Sequence, residues 1–227
     1  MKPLIIANWK CNPTNLIEAK KLFNKVRSLD VVICPPFVYL NTRYKIQDTK
    51  YKLGAQNCHY EQSGTYTGEI SPKMLEDLGL KYVIIGHSER RIHFKETDEM
   101  INKKLKAALK AGLKPILCIG EKKGENAKKI ISGQLKKDLK GISKKDLSKI
   151  IIAYEPVWAI GTGDFCKPEK AKEAMDFIKR GLKNKLLYGG SVNSKIAGKY
   201  IKIGFDGLLV GGASLDTKEF IKIVKNA

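Results

Sequence analysis

The chain has 227 residues, 43% of them hydrophobic, and its 43 lysines and arginines against 23 aspartates and glutamates give a formal charge of +20. That length buries one sizeable core, and no Pro/Ser/Gly-rich linker divides it, so one domain spanning residues 1–227 is expected. No apolar run reaches the ~18 residues of a membrane helix and the start Met1 to Ala7 is too short for a signal peptide, which predicts a cytoplasmic protein with no membrane association.

Short apolar runs recur about every 25–35 residues, each followed by a turn and a stretch of helical periodicity, the pattern of consecutive βα units. The predicted strands are Leu4 to Ala7, Val31 to Cys34, Lys52 to Gln56, Tyr82 to Ile85, Lys114 to Ile119, Ile150 to Tyr154, Leu186 to Tyr188 and Gly207 to Val210. Between them run apolar stripes at i, i+3, i+4 spacing, such as Leu16, Ala19, Leu22, Phe23 and Val26, or Met100, Ile101, Leu105, Ala108 and Leu109. Thr97 before an acidic first turn, Pro168 near a helix start and Gly112 after a helix end supply matching boundary chemistry. An open doubly wound sheet would share this alternation. However, no G-x-G-x-x-G follows the first strand and no G-x-x-x-x-G-K-[ST] occurs anywhere, while polar and glycine residues follow many strand ends. That distribution predicts an α/β protein of the (β/α)8 barrel class, with eight parallel strands inside a ring of helices and the chemistry at the strand C-termini.

The first strand ends Ala7-Asn8-Trp9-Lys10, and period-2 alternation points Asn8 and Lys10 to the same side. At a barrel mouth they would offer an amide and an ammonium to a ligand; alone, the tetrapeptide reads more readily as a strand-end lysine in solvent. The fourth strand runs into Gly86-His87-Ser88-Glu89-Arg90-Arg91, where a helix N-terminus could hold His87 neutral as a hydrogen-bond donor. Glu89 with Arg90 and Arg91 reads either as part of that chemistry or as an ordinary ion-pair cluster. The sixth strand delivers Glu155 into Pro156-Val157-Trp158-Ala159-Ile160-Gly161-Thr162-Gly163, one carboxylate at the end of a buried run.

The last two strands enter paired glycines, Tyr188-Gly189-Gly190-Ser191 and Val210-Gly211-Gly212-Ala213-Ser214. One Gly-Gly is usually a tight turn. Two on consecutive strands, with the Ser191 hydroxyl and Gly161 nearby, indicate a phosphate cradle of the kind barrels build after strands seven and eight. A carboxylate base, a histidine, a lysine and this cradle suit proton abstraction beside a carbonyl, with the lysine and histidine stabilising the enediolate oxyanion. The five cysteines are scattered without zinc-type spacing, so neither a metal site nor a disulfide framework is expected, and no cofactor motif appears. The positive charge is almost all lysine spread over helical segments, which favours a solvated surface, or attraction for anionic metabolites, over a nucleic-acid groove.

Asn8-Trp9-Lys10, Gly54-Ala55-Gln56-Asn57-Cys58, Thr67-Gly68-Glu69-Ile70-Ser71, Gly86 to Arg91, Cys118-Ile119-Gly120-Glu121, Tyr154 to Gly163, Tyr188 to Val192 and Val210 to Leu215 follow one another in an order that resembles the triosephosphate isomerase family over nearly the whole chain. The resemblance implies interconversion of dihydroxyacetone phosphate and D-glyceraldehyde 3-phosphate, a step of glycolysis and gluconeogenesis, without a cofactor. It makes Glu155 the base, His87 the neutral electrophile, Lys10 the stabilising cation and Glu89 the support of the lysine, with Asn8 touching the substrate. Gly161, Ser191, Gly211 and Gly212 would hold the phosphate. It also implies a lid over Pro156 to Cys166 and a homodimer made through the Gln56 to Glu69 loop, with Cys11 close to the contact. The family's lid usually ends close to Gly-Lys-Thr-Ala, whereas Gly163 here is followed by Asp164-Phe165-Cys166, which predicts altered lid kinetics. The stretch between Glu155 and Tyr188 is also shorter than in most of the family, which predicts a trimmed sixth helix and connection. The alternatives are another barrel enzyme acting on phosphorylated sugars, or a basic barrel with nucleic-acid binding as a second role.

Overall fold

In a computed structural model, residues 2–45, 49–161 and 165–227 are described, those from 42 to 45 by their backbone alone. Among them, eight parallel strands pair in the order β1 to β8 and close into a barrel. The strands are β1 (Leu4–Asn8), β2 (Val32–Cys34), β3 (Lys52–Ala55), β4 (Tyr82–Ile85), β5 (Lys114–Ile119), β6 (Ile151–Tyr154), β7 (Leu186–Tyr188) and β8 (Gly207–Val210). Around them run α1 (Leu16–Val26), α2 (Pro72–Asp77), α3 (Ser88–His93), α4 (Asp98–Lys110), α5 (Ala127–Asp138), α6 (Lys144–Leu147), α7 (Pro168–Gly181), α8 (Ala197–Lys202) and α9 (Thr217–Asn226).

Both faces of the sheet are buried, which is why each strand reads as a continuous apolar run. Alternate side chains split between two cores. Ile6, Val32, Cys34, Ile84, Ile116, Cys118, Leu187 and Leu209 fill the barrel interior, while Ile5, Ile33, Val83, Leu117, Ile152 and Leu208 face the helices. The helices answer with Phe23 of α1, Leu105 of α4, Ile178 of α7 and Phe220 of α9, all buried. Each such side chain stabilises the fold by roughly 1.5–3 kcal/mol.

The strand assignments hold to within a residue. β1 continues to Asn8, and β3 stops at Ala55 because the Gln56 side chain leaves the ladder to donate to the carbonyls of Lys10 (2.8 Å) and Cys34 (2.9 Å). Thr97 caps α4 by accepting from the Met100 N–H, and Pro168 opens α7. One expectation is corrected: Leu16 sits 45% exposed at the start of α1, outside the buried stripe of Ala19, Phe23 and Val26. Between β6 and β7 the chain forms α7 of 14 residues, followed by the link 182–185.

Candidate active site

The strand C-termini bring Asn8, Lys10, His87, Glu89 and Glu155 to one end of the barrel. Asn8 closes β1, and its Oδ1 accepts the Lys10 N–H at 3.0 Å. Lys10 has left the strand, with φ 54. It is therefore this turn, not strand alternation, that brings both residues to the cavity they line. The lysine stem passes over Gly211, where an added Cβ would lie 3.2 Å from Lys10 Cε. Its ammonium pairs with the Glu89 carboxylate.

His87 is the N-cap of α3, and Gly86 before it takes φ 72, which a side chain rarely adopts. Its Nδ1 accepts the Glu89 N–H at 3.3 Å, so that nitrogen carries the lone pair and the ring proton lies on Nε2. Nε2 faces Glu155 Oε1 at 3.4 Å. The Glu155 backbone continues the β5–β6 ladder, its N–H reaching the Ile119 carbonyl at 2.7 Å. Gly120 makes that approach possible, because a Cβ there would fall 1.7 Å from the Glu155 carbonyl oxygen. Glu155 Oε2 accepts the Ser88 N–H at 3.0 Å, while Oε1 is buried and has no hydrogen bond. Nearby, burial and the Glu155 charge push the Cys118 thiol far above its usual range, so it stays protonated beside the carboxylate.

The glycine loops form a separate cavity of about 200 Å³ lined by Asn8, Lys10, Gly161, Ser191, Gly211 and Gly212 among others. Gly211 caps the 3-10 turn Gly212–Ser214, whose opening N–H groups have no acceptor within the turn. Ser191 belongs to this wall, but its N–H and hydroxyl both donate to the Ala159 carbonyl in the segment after Glu155. Glu155 itself borders a neighbouring cavity of about 350 Å³ together with Ser88, Arg91 and Cys118.

Within the expected lid, Val157–Ala159 form a 3-10 turn, and Trp158 Nε1 and the Tyr154 hydroxyl both donate to Glu121 Oε1. Thr162, Gly163 and Asp164 lie outside the described residues. Of the unusual ending, Phe165 is 40% exposed and Cys166 is buried. Sequence reasoning gave no role in the site to Gln56 or Ser88, and of Arg91 it offered only a share in an ion-pair cluster. Ser88 acts through its backbone, which carries no residue-type signal, and the other two act by reaching neighbouring elements distant in sequence.

Among the described residues, no three of His, Cys, Asp and Glu converge as a metal set, and no helix is long and apolar enough to cross a membrane. The family model for triosephosphate isomerase matches residues 3–227. The triosephosphate isomerase of Aquifex aeolicus (strain VF5) is 48% identical over 246 aligned positions, and that of Dictyoglomus turgidum is 47% identical over 247; each alignment covers 99% of both chains. That of Clostridium botulinum (strain Loch Maree / Type A3) is 46% identical over 246 positions, again across 99% of both.

Proposed function

The chain belongs to the triosephosphate isomerase family, and we propose that this isomerase interconverts dihydroxyacetone phosphate and D-glyceraldehyde 3-phosphate through an enediolate, with Glu155 as base, His87 as electrophile and Lys10 as stabilising cation. A glutamate base with a neutral histidine is the chemistry known for this family. What supports it in this chain is the pairing of a carboxylate oxygen free of hydrogen bonds with an imidazole whose protonated nitrogen is fixed.

The phosphate enters the cradle of Gly161, Ser191, Gly211 and Gly212. Helix-type N–H groups bind it there, and Ser191 contributes once its donors leave Ala159. This anchors the three-carbon unit beside Asn8 and Lys10. Glu155 turns from Ser88 toward the cradle and takes a proton from the carbon next to the carbonyl. The Nε2–H of His87 donates to the carbonyl oxygen, and the Lys10 ammonium faces the same developing charge, in a site with little water to screen it. Glu89 keeps the ammonium from straying, since it holds Lys10 from the α3 side. His87 gives its Nε2 proton to the former carbonyl oxygen and takes the proton of the neighbouring hydroxyl at the same nitrogen, and Glu155 returns its own proton to the former carbonyl carbon, so the carbonyl now stands where the hydroxyl was, with no net redox change. The experiment is a coupled assay of both directions on the purified protein beside Glu155→Ala. Loss of about 10²–10⁴-fold in the variant supports the base assignment, and an inactive folded wild type would overturn it.

The same reading makes the protein a cytoplasmic, single-domain homodimer. Among the described residues, every large exposed hydrophobic residue except Phe165 belongs to the first four βα segments: Leu16, Ile17, Val38, Tyr66, Met74, Ile92 and Phe94. Because β1 to β4 are neighbours in the barrel, these residues lie on one side. The Gln56 to Glu69 loop on that side is held in place, with His59 stacked on Tyr60 and near Tyr66 within the loop, and Gln62 donating to the Ala107 carbonyl of α4. A preformed loop loses little entropy on docking to a second copy.

A further inference from the structure

We infer that Arg91 is a positioning residue for this reaction: its guanidinium ties the first turn of α3 to the ends of β4 and β5 and so sets the geometry of His87, Glu155 and Lys10 together. The inference rests on the isomerase reading above. Three contacts of the site depart from one turn. The Ser88 N–H holds Glu155 Oε2, the Glu89 N–H holds His87 Nδ1, and the Glu89 carboxylate holds Lys10. A shift of that turn moves all three. Yet α3 has only six residues, far fewer than an isolated helix needs to persist.

Arg91 supplies the fastening. Its Nε donates to the Gly86 carbonyl at 2.9 Å, directly before His87. Its Nη2 donates to the Cys118 carbonyl at 3.3 Å and to Asp138 of α5 at 2.7 Å, and its Nη1 donates to Asp98 of α4 at 2.7 Å. Gly86 admits the group, because a Cβ there would lie 3.1 Å from Arg91 Nη2. Only a planar fork can bond two strand-end carbonyls and two carboxylates at once; a lysine ammonium on the same stem cannot. The neighbouring Arg90 turns elsewhere, to Glu96 and the Phe94 ring. A buried ion-pair cluster adds little net stability over apolar packing, so the geometry it imposes is its use.

The test compares Arg91→Lys and Arg91→Ala with wild type in steady-state kinetics and in ¹⁵N spectra of His87. A displacement of order 1 Å at reacting groups costs about 100-fold, so kcat should fall by about that factor in Arg91→Ala and at least about tenfold in Arg91→Lys. KM should stay within about threefold, because the cradle hangs on the loops after β6, β7 and β8. The His87 nitrogens, one protonated and one not in wild type, should lose that clear distinction. Arg91 lines the 350 Å³ cavity beside Glu155. Millimolar guanidinium chloride should therefore restore part of the Arg91→Ala turnover where equal sodium chloride does not. If Arg91→Ala does not fold, Arg91→Lys decides. A folded Arg91→Lys with kcat within threefold of wild type and unchanged His87 signals, or with a lowered melting temperature alone, overturns the inference. Wild type inactive on triose phosphates would sink the reaction instead, and the His87 spectra would still test Arg91.

Discussion

Ser88 donates its backbone N–H to one oxygen of Glu155 at 3.0 Å and leaves the other oxygen without a donor, in a residue only 1% exposed. One oxygen is thereby oriented, and the other faces His87 Nε2 at 3.4 Å. The N–H on this oxygen is neutral and worth about 1.5–3 kcal/mol to a charged acceptor, so substrate contacts can displace it.

Shortening this side chain should therefore be costly in rate and nearly neutral in binding. Glu155→Asp keeps the charge but withdraws the carboxylate by about one methylene. We expect kcat to fall by about 100-fold or more with KM changed by less than about threefold. Steady-state kinetics would refute this if KM rose in proportion instead.

Lys10 and Glu89 should separate by magnitude. Lys10→Met removes the cation that faces the developing oxyanion, for an expected loss of about 10²–10³-fold in kcat/KM. Glu89→Gln preserves shape and a hydrogen bond to the ammonium, and should lose no more than about tenfold. A glutamate variant as damaged as the lysine variant would mean that Glu89 does more than hold its partner.

The barrel was legible because its strands are buried on both faces and written as apolar runs, and Glu155 was legible because such a run delivers it into a glycine-rich loop. Strand ends were less so. Gln56 reads as one more strand residue, and only its reach to the carbonyls of Lys10 and Cys34 takes it out of the ladder. Leu16 fits the apolar period of α1, yet it lies at the helix start beyond the packed stripe. The positioning contacts were not legible at all. Arg91 meets Asp138 across 47 residues of sequence, and that meeting depends on how α3 and α5 sit on the barrel rather than on any local pattern.

Gly120 is a site where a single methyl group should disable the protein. Its added Cβ would overlap the Glu155 carbonyl oxygen, and that oxygen belongs to backbone with no room to yield. Gly120→Ala must part β5 from β6 beneath the base. A loss of more than about 3 kcal/mol in stability, together with lost turnover in whatever folds, is the expected outcome. Urea unfolding checks the first, and a variant as stable as wild type would contradict the packing described.

Asp138 gives the fold a pH dependence whose sign can be worked out. Burial pushes its carboxyl up from 3.8 to about 7, against the opposing pull of the Arg91 guanidinium. The groups facing it are Arg91 from α3 and Asp98 from α4, the latter also paired with Lys137. The folded state thus holds a proton that the unfolded state releases near 4. Stability from this group is full below about pH 4, declines as pH rises toward 7, and is level above. Over that window the change is on the order of a few kcal/mol. Asp138→Asn cannot ionise, so the difference in melting temperature between variant and wild type should widen in the variant's favour by several degrees from pH 5 to pH 8. A difference constant across that range would show that the guanidinium, not burial, governs the carboxyl.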